Sequence, residues 1–574
     1  MEALDTALDT AEPPLKTVMM PETSGETAHM ARQLPTGNQK FEDIRRNRMF
    51  YVDKTAFIAK WWASHIGVTV VNRPRGFGKT LMLGAIERLF SPAFQDQEEL
   101  FEGLNVWKNE EVRKLAGQIP TILLTFGDAG QRSFKDARQA FASKLAAVVG
   151  GFAYLQASSK VPPRLRQRLN DFNADSDNVE LFEILRSLSE ALFLHHGLKP
   201  VILVDDYDTL LFSAWSGNYR DEMSDLLRGW ENATFKTNES LDRALLTGVT
   251  DGICGINNAM TVAVSTPEYQ TDFGFTEDEV QDALNEYGIE SGADAKKWYG
   301  GFAFGNVSGI FNPRSIVRYL QFRVPKCYWT DNGEDDVVEH EIKRSGKSVK
   351  ASLVTLLNGG RIESKLSDNA SLSNQQGGAV PIWSLLAAGG CVKAVSRRED
   401  GSCELELTNH EVKIGFETMI YRWFDAQDTT LDDFIRALLN GDTDAMTDCL
   451  QAISAAGSDF SDGKPNEPEN FYLSFVLGLM IRLKDRYLFS CNRESGPGRY
   501  DVLLVPENST DYAFILEFKA RQPRKEDSLN DTLANAKARI QSKQYAAELT
   551  RRGIPLSRIR SYGIVFDGKE VLIG

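Results

Sequence analysis

The chain has 574 residues, 42% of them hydrophobic and 25% charged, and a formal net charge of −15. That is the make-up of an ordinary globular protein with more than one core, since single cores stop growing near roughly 250–300 residues. Net acidity argues against whole-molecule attraction to nucleic acid, though not against a local basic face. No apolar run approaches the ~20 residues a membrane span needs, and the first residues lack the pattern of a secretory signal. The six cysteines stand apart without C-x-x-C pairs, which argues against zinc sites and a disulfide framework and for a reducing, cytoplasmic setting.

In chain order, residues 1–36 are rich in Pro, Thr, Glu and Ala without a sustained period and read as a poorly ordered arm. Phe50-Tyr-Val-Asp-Lys-Thr55 leads into a helix whose Phe57, Ile58, Trp61 and Trp62 read as core. The apolar run Val68 to Val71 ends in a glycine-containing loop, after which Leu81, Met82, Ala85, Ile86 and Leu89 follow a helical spacing. Strand, loop, helix is the layout of a nucleotide-phosphate cradle, here made of Arg75, Gly76, Phe77, Gly78, Lys79 and Thr80. Backbone N–H groups from Gly76 to Thr80 would face the phosphates at a helix N-terminus. Lys79 would reach the β and γ phosphates and the Thr80 hydroxyl would ligate Mg2+, so ATP and Mg2+ are the expected cofactors. The first glycine of the usual pattern is replaced by Arg73.

Pro120 to Phe126 reads as a second buried strand, and Phe134 to Phe193 as a long amphipathic region. In Pro200-Val-Ile-Leu-Val-Asp-Asp-Tyr-Asp208 an apolar run leads straight into acids, as when a central parallel strand delivers carboxylates to the edge where ligands bind. Asp205 is expected to hold the water shell of Mg2+ and Asp206 to orient or activate the attacking water. A further strand, Arg243 to Val249, carries Thr247 near its end, where a hydroxyl can sense the γ-phosphate. Alternating strands and helices predict an α/β parallel sheet with helices on both faces over residues 37–265.

Phe50-Tyr-Val-Asp-Lys-Thr55, Asn72-Arg-Pro-Arg-Gly-Phe-Gly-Lys-Thr80, Leu203-Val-Asp-Asp-Tyr-Asp208, Leu246-Thr-Gly248, Trp298-Tyr-Gly-Gly-Phe302 and Phe311-Asn-Pro-Arg-Ser315 together resemble the AAA-ATPase-like family. The resemblance implies a P-loop fold and accounts for the Arg73-Pro-Arg75 entrance. The family pattern has Arg at the place of Gly76 and Asp-Glu at the place of Asp205-Asp206. Aspartate is one methylene shorter than glutamate, so slow hydrolysis, or binding without much turnover, is an alternative.

Residues 266–420 read as a helical lid and linker. Thr276 with Glu279 makes a helix-capping pattern, and Trp298, Tyr299, Phe302 and Phe311 read as core. Ser367 to Gly378 reads as a loop. The helix Ile382 to Ala388 followed by strands Cys391 to Val395 and Cys403 to Leu407 suggests a winged-helix-like module.

Residues 421–574 end in the second site. Gly498-Arg-Tyr-Asp-Val-Leu-Leu-Val505 and Tyr512-Ala-Phe-Ile-Leu-Glu-Phe-Lys519 read as two strands around a turn. A period of two puts Phe514, Leu516 and Phe518 on one face and Glu517 with Lys519 on the other, with Asp501 able to approach Glu517. Two acids and a lysine suit metal-assisted phosphodiester hydrolysis, with Asp501 and Glu517 holding Mg2+ and Lys519 positioning or helping to deprotonate the water. From Glu517 to Arg560 there are eleven basic residues against five acidic ones, a charge suited to a phosphate backbone.

This segment resembles the PD-(D/E)XK nuclease superfamily, in the branch fused behind AAA-ATPase-like domains. That implies a restriction-endonuclease-like α/β domain. It also brings in Gln541 as a catalytic residue and Tyr545 beside it, with Glu494 as a further acid. The expected partner is nucleic acid, DNA before RNA, with no membrane; a homo-oligomer is compatible with the sequence. The reading is of an ATP-binding, ATP-hydrolysing domain that regulates or drives a Mg2+-dependent nuclease. The alternatives are a nucleotide switch whose nuclease fold serves only for binding, and a translocating motor.

Overall fold

The computed structural model describes residues 31–37, 40–252, 256–257, 259–329, 336–367, 382–398, 400–422, 428–456, 468–484, 486–492, 499–508, 510–542, 545–551 and 553–574. Outside them lie most of the expected N-terminal arm, nearly all of the Ser367–Gly378 loop, and Glu494; the side chains of Asp501 and Tyr545 are also outside the description.

Five short, buried strands build the first sheet: β1 (Val68–Asn72), β2 (Thr121–Thr125), β3 (Val201–Asp205), β4 (Arg243–Gly248) and β5 (Met260–Val262). Their order is β2-β3-β4-β1-β5 and every pairing is parallel. Alternation sorts their side chains into two cores. Val68, Val70, Ile122, Leu124, Ile202, Val204, Ala244 and Leu246 pack on the face covered by the helices Phe134–Gly150, Asn178–His196 and Arg220–Glu231. Val71, Leu203, Leu245 and Val262 face Phe57, Trp61 and the helix Lys79–Phe90. Strands apolar on both sides are what a parallel sheet covered on both faces requires, and the α/β expectation holds.

The end of β1 is fixed by a residue where the usual loop has glycine. The Arg73 guanidinium is fully buried and donates to the carbonyls of Asn72, Val262, Ala263, Glu268 and Tyr269, at 2.9 to 3.4 Å. It also lies 4.6 Å from the centre of the Phe304 ring. Burial pushes its pKa down to about 10, yet it stays cationic at neutral pH. Arg73 therefore ties β1 to β5 and to the chain beyond it.

The Phe50–Thr55 motif is also bracing. Asp53 accepts from Thr55 N and Oγ1 at 2.9 and 2.6 Å and from Asn105 N at 2.6 Å, while Lys54 Nζ meets Glu279 Oε2 at 2.7 Å. The chain before it is anchored as well: Arg32 grips Glu286 through Nε and Nη2 at 2.9 and 2.6 Å. A bidentate ion pair thus anchors Arg32, near the end of the expected arm.

In the middle segment, Thr276 and Glu279 form the expected capping box on the helix Glu277–Glu286. β6 (Phe302–Phe304) and β7 (Val307–Ile310) form a hairpin, and Asn312 caps the helix Pro313–Phe322 through Arg314 N. The helix Ile382–Ala388 falls where the pattern placed it, and β9 (Val392–Arg397) and β10 (Ser402–Leu407) follow. β8 (Ile362–Lys365), unforeseen, completes an antiparallel sheet of order β8-β10-β9.

The last sheet runs β11 (Tyr487–Asn492), β12 (Arg499–Pro506), β13 (Ala513–Ala520), β14 (Ile559–Asp567) and β15 (Glu570–Ile573), mixed in direction, with β13 and β14 parallel. Phe514, Leu516 and Phe518 of β13 join the large core with Phe434, Leu438 and Phe475. Ala513 and Ile515 face Ile540, Leu549 and Ile554 on the other side. Among the described residues, no helix is long and apolar enough to cross a membrane.

Arg73→Ala should lower the stability of the first domain by about 3 kcal/mol, because buried carbonyls lose their donors. Arg73→Lys should restore only part of it, since an ammonium lacks the planar fork. Thermal unfolding followed by tryptophan fluorescence reads both; an unshifted transition in Arg73→Ala would refute the strut.

Candidate nucleotide and nuclease sites

The first site is the C-terminal edge of the parallel sheet. After β1 the loop turns through Gly76 and Gly78, at φ of +81° and +83°, a left-handed backbone that glycine adopts without strain. Gly78 precedes the helix Lys79–Phe90, so the N-terminus of that helix points into the loop. Phe77 is buried and packs edge-on against Phe302 and Phe304, with centroids at 4.9 and 5.3 Å. Its side chain is an anchor, whereas Thr80 and Arg75 are exposed.

Lys79 is buried and folds back onto the loop, its Nζ 2.8 Å from Arg73 O and 3.1 Å from Pro74 O. Burial pushes its pKa down, and the charges of Asp206, Asp208 and Asp205 act against that shift. β4 separates β1 from β3, so Thr247 of β4 stands between the two chemistries and donates to Asp205 Oδ1 at 2.6 Å.

Asp206 leaves the strand at φ +51°, which few L-residues adopt. Its carboxylate lies against Gly127, where a Cβ would stand 2.9 Å from Asp206 Oδ2. Burial first, then Asp205, raises its pKa to about 6. Asp208 is structural: its Oδ2 takes Val249 N and Thr250 N, both at 2.8 Å.

Lys79 and Asp206 open on a cavity of about 1360 Å3 lined also by Tyr51, Thr80, Arg314 and Val317, among others. Its lining combines apolar side chains such as Ile44, Phe50 and Val52 with cations and carboxylates, the make-up expected of a pocket for a base and its polyphosphate. Sequence reasoning quoted Arg314 within the Phe311–Ser315 motif without giving it a role. Asn312 Nδ2 donates to Arg75 O at 3.1 Å, and a Cβ on Gly76 would come within 2.7 Å of Asn312 Oδ1 and 3.1 Å of Arg314 Cβ. The start of the helix Pro313–Phe322 thus rests on the phosphate loop.

The second site is on β13. Asp501 and Glu517 are directly opposite in the β12–β13 register. Glu517 has 0% exposure, and its Oε1 lies 3.0 Å from Arg539 Nε of the helix Leu529–Ser542. Lys519 shares that face of the strand, but its Nζ is bound to Glu526 Oε1 at 2.5 Å. Glu526, which sequence reasoning did not single out, also accepts from Gln522 N, Thr532 Oγ1 and Asn535 Nδ2, each at 2.9 Å. Desolvation opposes its ionisation, but Lys519 and the other donors outweigh that and bring its pKa to about 2.

Gln541 is exposed in the last turn of the helix Leu529–Ser542; within that turn it is Arg539 that contacts Glu517. A buried carboxylate opposite a second acid is a donor set suited to a hard divalent cation, with Asp501 and Glu517 as the residues that would hold it. The basic count overstates the surface charge. Lys519 and Arg539 are used internally, Arg521 pairs with Asp567, and Arg560 donates to Leu439 O and covers the Tyr512 ring. Arg524, Lys525, Lys537 and Arg551 remain exposed.

The family description "Predicted AAA-ATPase" matches residues 35–253, and "PD-(D/E)XK nuclease superfamily" matches residues 467–574. Over 554 residues the chain is 23% identical to an uncharacterized protein in the vnfD 5′ region of Azotobacter chroococcum mcd 1, covering 92% of this chain and 95% of that one. Motifs, sheet topology and these matches agree: the chain joins an AAA-ATPase-like domain to a C-terminal domain of the PD-(D/E)XK nuclease superfamily.

Proposed function

We propose that the chain binds and hydrolyses ATP with Mg2+ at the β1–β3–β4 edge, and that the nucleotide state regulates Mg2+-dependent cleavage of nucleic acid, DNA before RNA, at Asp501 and Glu517. The division behind it is an arm at 1–36, the ATPase domain at 37–265, a lid and linker at 266–420 and the nuclease domain at 421–574. The observation that carries the reading is the meeting of Lys79, Thr80, Asp206 and Arg314 at one cavity, at the strand edge where the buried Asp205 is held by Thr247.

In the ATPase step, backbone N–H groups of Gly76 to Thr80 and the Lys79 ammonium bind the phosphates, with Arg314 facing them from the lid. Mg2+, when bound, neutralises phosphate charge; Thr80 and Asp205 would hold it, Asp205 kept oriented by Thr247. Asp206 accepts the proton of the attacking water. In the nuclease step, Lys519, held rigid by Glu526, stabilises charge building on the phosphate and orients the water.

Regulation is supported by a chain of buried and part-buried contacts. Glu411, at the head of the helix His410–Arg422, accepts from Ser315 Oγ of the lid helix at 2.9 Å and from Tyr328 N and Trp329 N at 2.6 and 2.8 Å. Further along the same helix, Glu417 pairs with Lys484 just before β11. A shift of the lid on nucleotide binding would be passed along this helix to the nuclease sheet. A second reading, in which the nuclease fold only binds nucleic acid, draws on the protein cations that already contact Glu517 and Glu526.

Asp206→Asn should slow ATP turnover by roughly a hundred-fold or more while ATP still binds. In the unaltered chain turnover should rise with pH through about 6, as Asp206 loses its proton. A flat profile, or full turnover in the variant, removes Asp206 as the base. Plasmid and single-stranded DNA and RNA, incubated with Mg2+ or Mn2+, should be cut by the chain and at least about a hundred-fold more slowly by Lys519→Ala and Asp501→Ala. No metal-dependent cleavage under any condition would favour the binding-only reading. Glu411→Gln should fold and turn over ATP but uncouple cleavage from ATP; an unchanged ATP response would disprove the linkage.

A further inference from the structure

The face of β13 beneath the helix Leu529–Ser542 carries two acid–base contacts, and they are built differently. Lys519 and Glu526 are locked: Glu526 has donors on both oxygens from Lys519, Gln522, Thr532 and Asn535. The position of Lys519 therefore does not depend on Glu517. The Glu517 carboxylate is withdrawn from water altogether, and a buried anion needs a cation. In this chain the cation is Arg539, whose Nε stands 3.0 Å from Oε1 and whose side chain keeps 13% exposure at the rim of the site. Arg539 and Asn535 are one helical turn apart, so the same face of the helix serves both contacts.

Glu517 is also the residue that the nuclease reading gives to the metal, and this inference rests on that reading. A divalent ion and a guanidinium cannot both take Glu517 Oε1 without repelling one another at close range. We propose that Arg539 is a placeholder cation: it neutralises Glu517 in the metal-free chain and yields the carboxylate to an incoming divalent ion. Its long stem and position at the rim allow the guanidinium to swing toward solvent when displaced. The arrangement lowers metal affinity by competition and keeps the buried carboxylate compensated until metal arrives.

The test uses the full-length chain without nucleotide and titrates Mn2+ alone, following free Mn2+ by electron paramagnetic resonance. Binding that disappears in Glu517→Gln defines the site. Arg539→Met should bind Mn2+ at that site about ten-fold more tightly, melt at lower temperature without metal, and recover more stability on adding Mn2+ than the unaltered chain does. Arg539→Lys, which keeps the charge, should bind close to the unaltered chain. Should Arg539→Met not fold, Arg539→Gln reads the same competition. Unchanged or weaker Glu517-dependent binding without the arginine overturns the placeholder role and leaves the metal site standing. If no chain shows Glu517-dependent binding, the metal reading fails and this proposal fails with it.

Discussion

A guanidinium removed from water and met by five carbonyl oxygens holds the ATPase domain in working shape. Arg73 lies where the strand must stop and the phosphate loop begin. Its own carbonyl then receives the Lys79 ammonium, so one residue fixes both the root of the loop and the cation that leans on it. A charge buried to this degree is costly without acceptors, and the ends of β1 and β5 with the turn after β5 supply them to both terminal nitrogens. The Thr247–Asp205 contact and the left-handed Asp206 depend on this frame, because β4 is registered against β1 residue by residue.

The two chemistries share a logic of ionic groups held out of water and immobilised by neighbours. At the strand edge of the first sheet, burial and then the neighbouring Asp205 raise the proton affinity of Asp206. At β13, Glu517 is matched by Arg539 from the covering helix and Lys519 by Glu526 from the turn, and Glu526 is driven the opposite way. Crowded like charges favour a group that takes up a proton near neutrality, while a surplus of donors favours a permanent anion that orients something else. The helix His410–Arg422 carries the buried Glu411, raised to about 7 by desolvation, which accepts from Ser315, Tyr328 and Trp329.

Much of this was legible in the chain itself. β1 and β3 read as buried parallel strands because both of their faces are apolar, and the glycine loop between β1 and its helix reads as a phosphate cradle. The alternation along β13 placed Glu517 and Lys519 on one face and Phe514, Leu516 and Phe518 on the other, as observed. The partners were not legible. Arg73 reads as one more basic loop residue, since its acceptors come from a turn far along the chain. Glu526 sits in a charged run that looks like surface, and only folding tucks it beneath the helix. Arg539 counted as phosphate-binding charge until the sheet placed Glu517 beside it. Sequence periodicity reports which way a side chain points, and long-range packing decides what it meets.

Gly76 has a meaning beyond the turn it permits. With nothing larger than hydrogen there, Asn312 lies flat on the phosphate loop and Arg314 comes to the mouth of the cavity. A chain carrying a bulky side chain at this place would hold the lid at a distance and leave the nucleotide pocket ajar. The smallest residue in the motif thus sets how closely the helix Pro313–Phe322 can approach the loop.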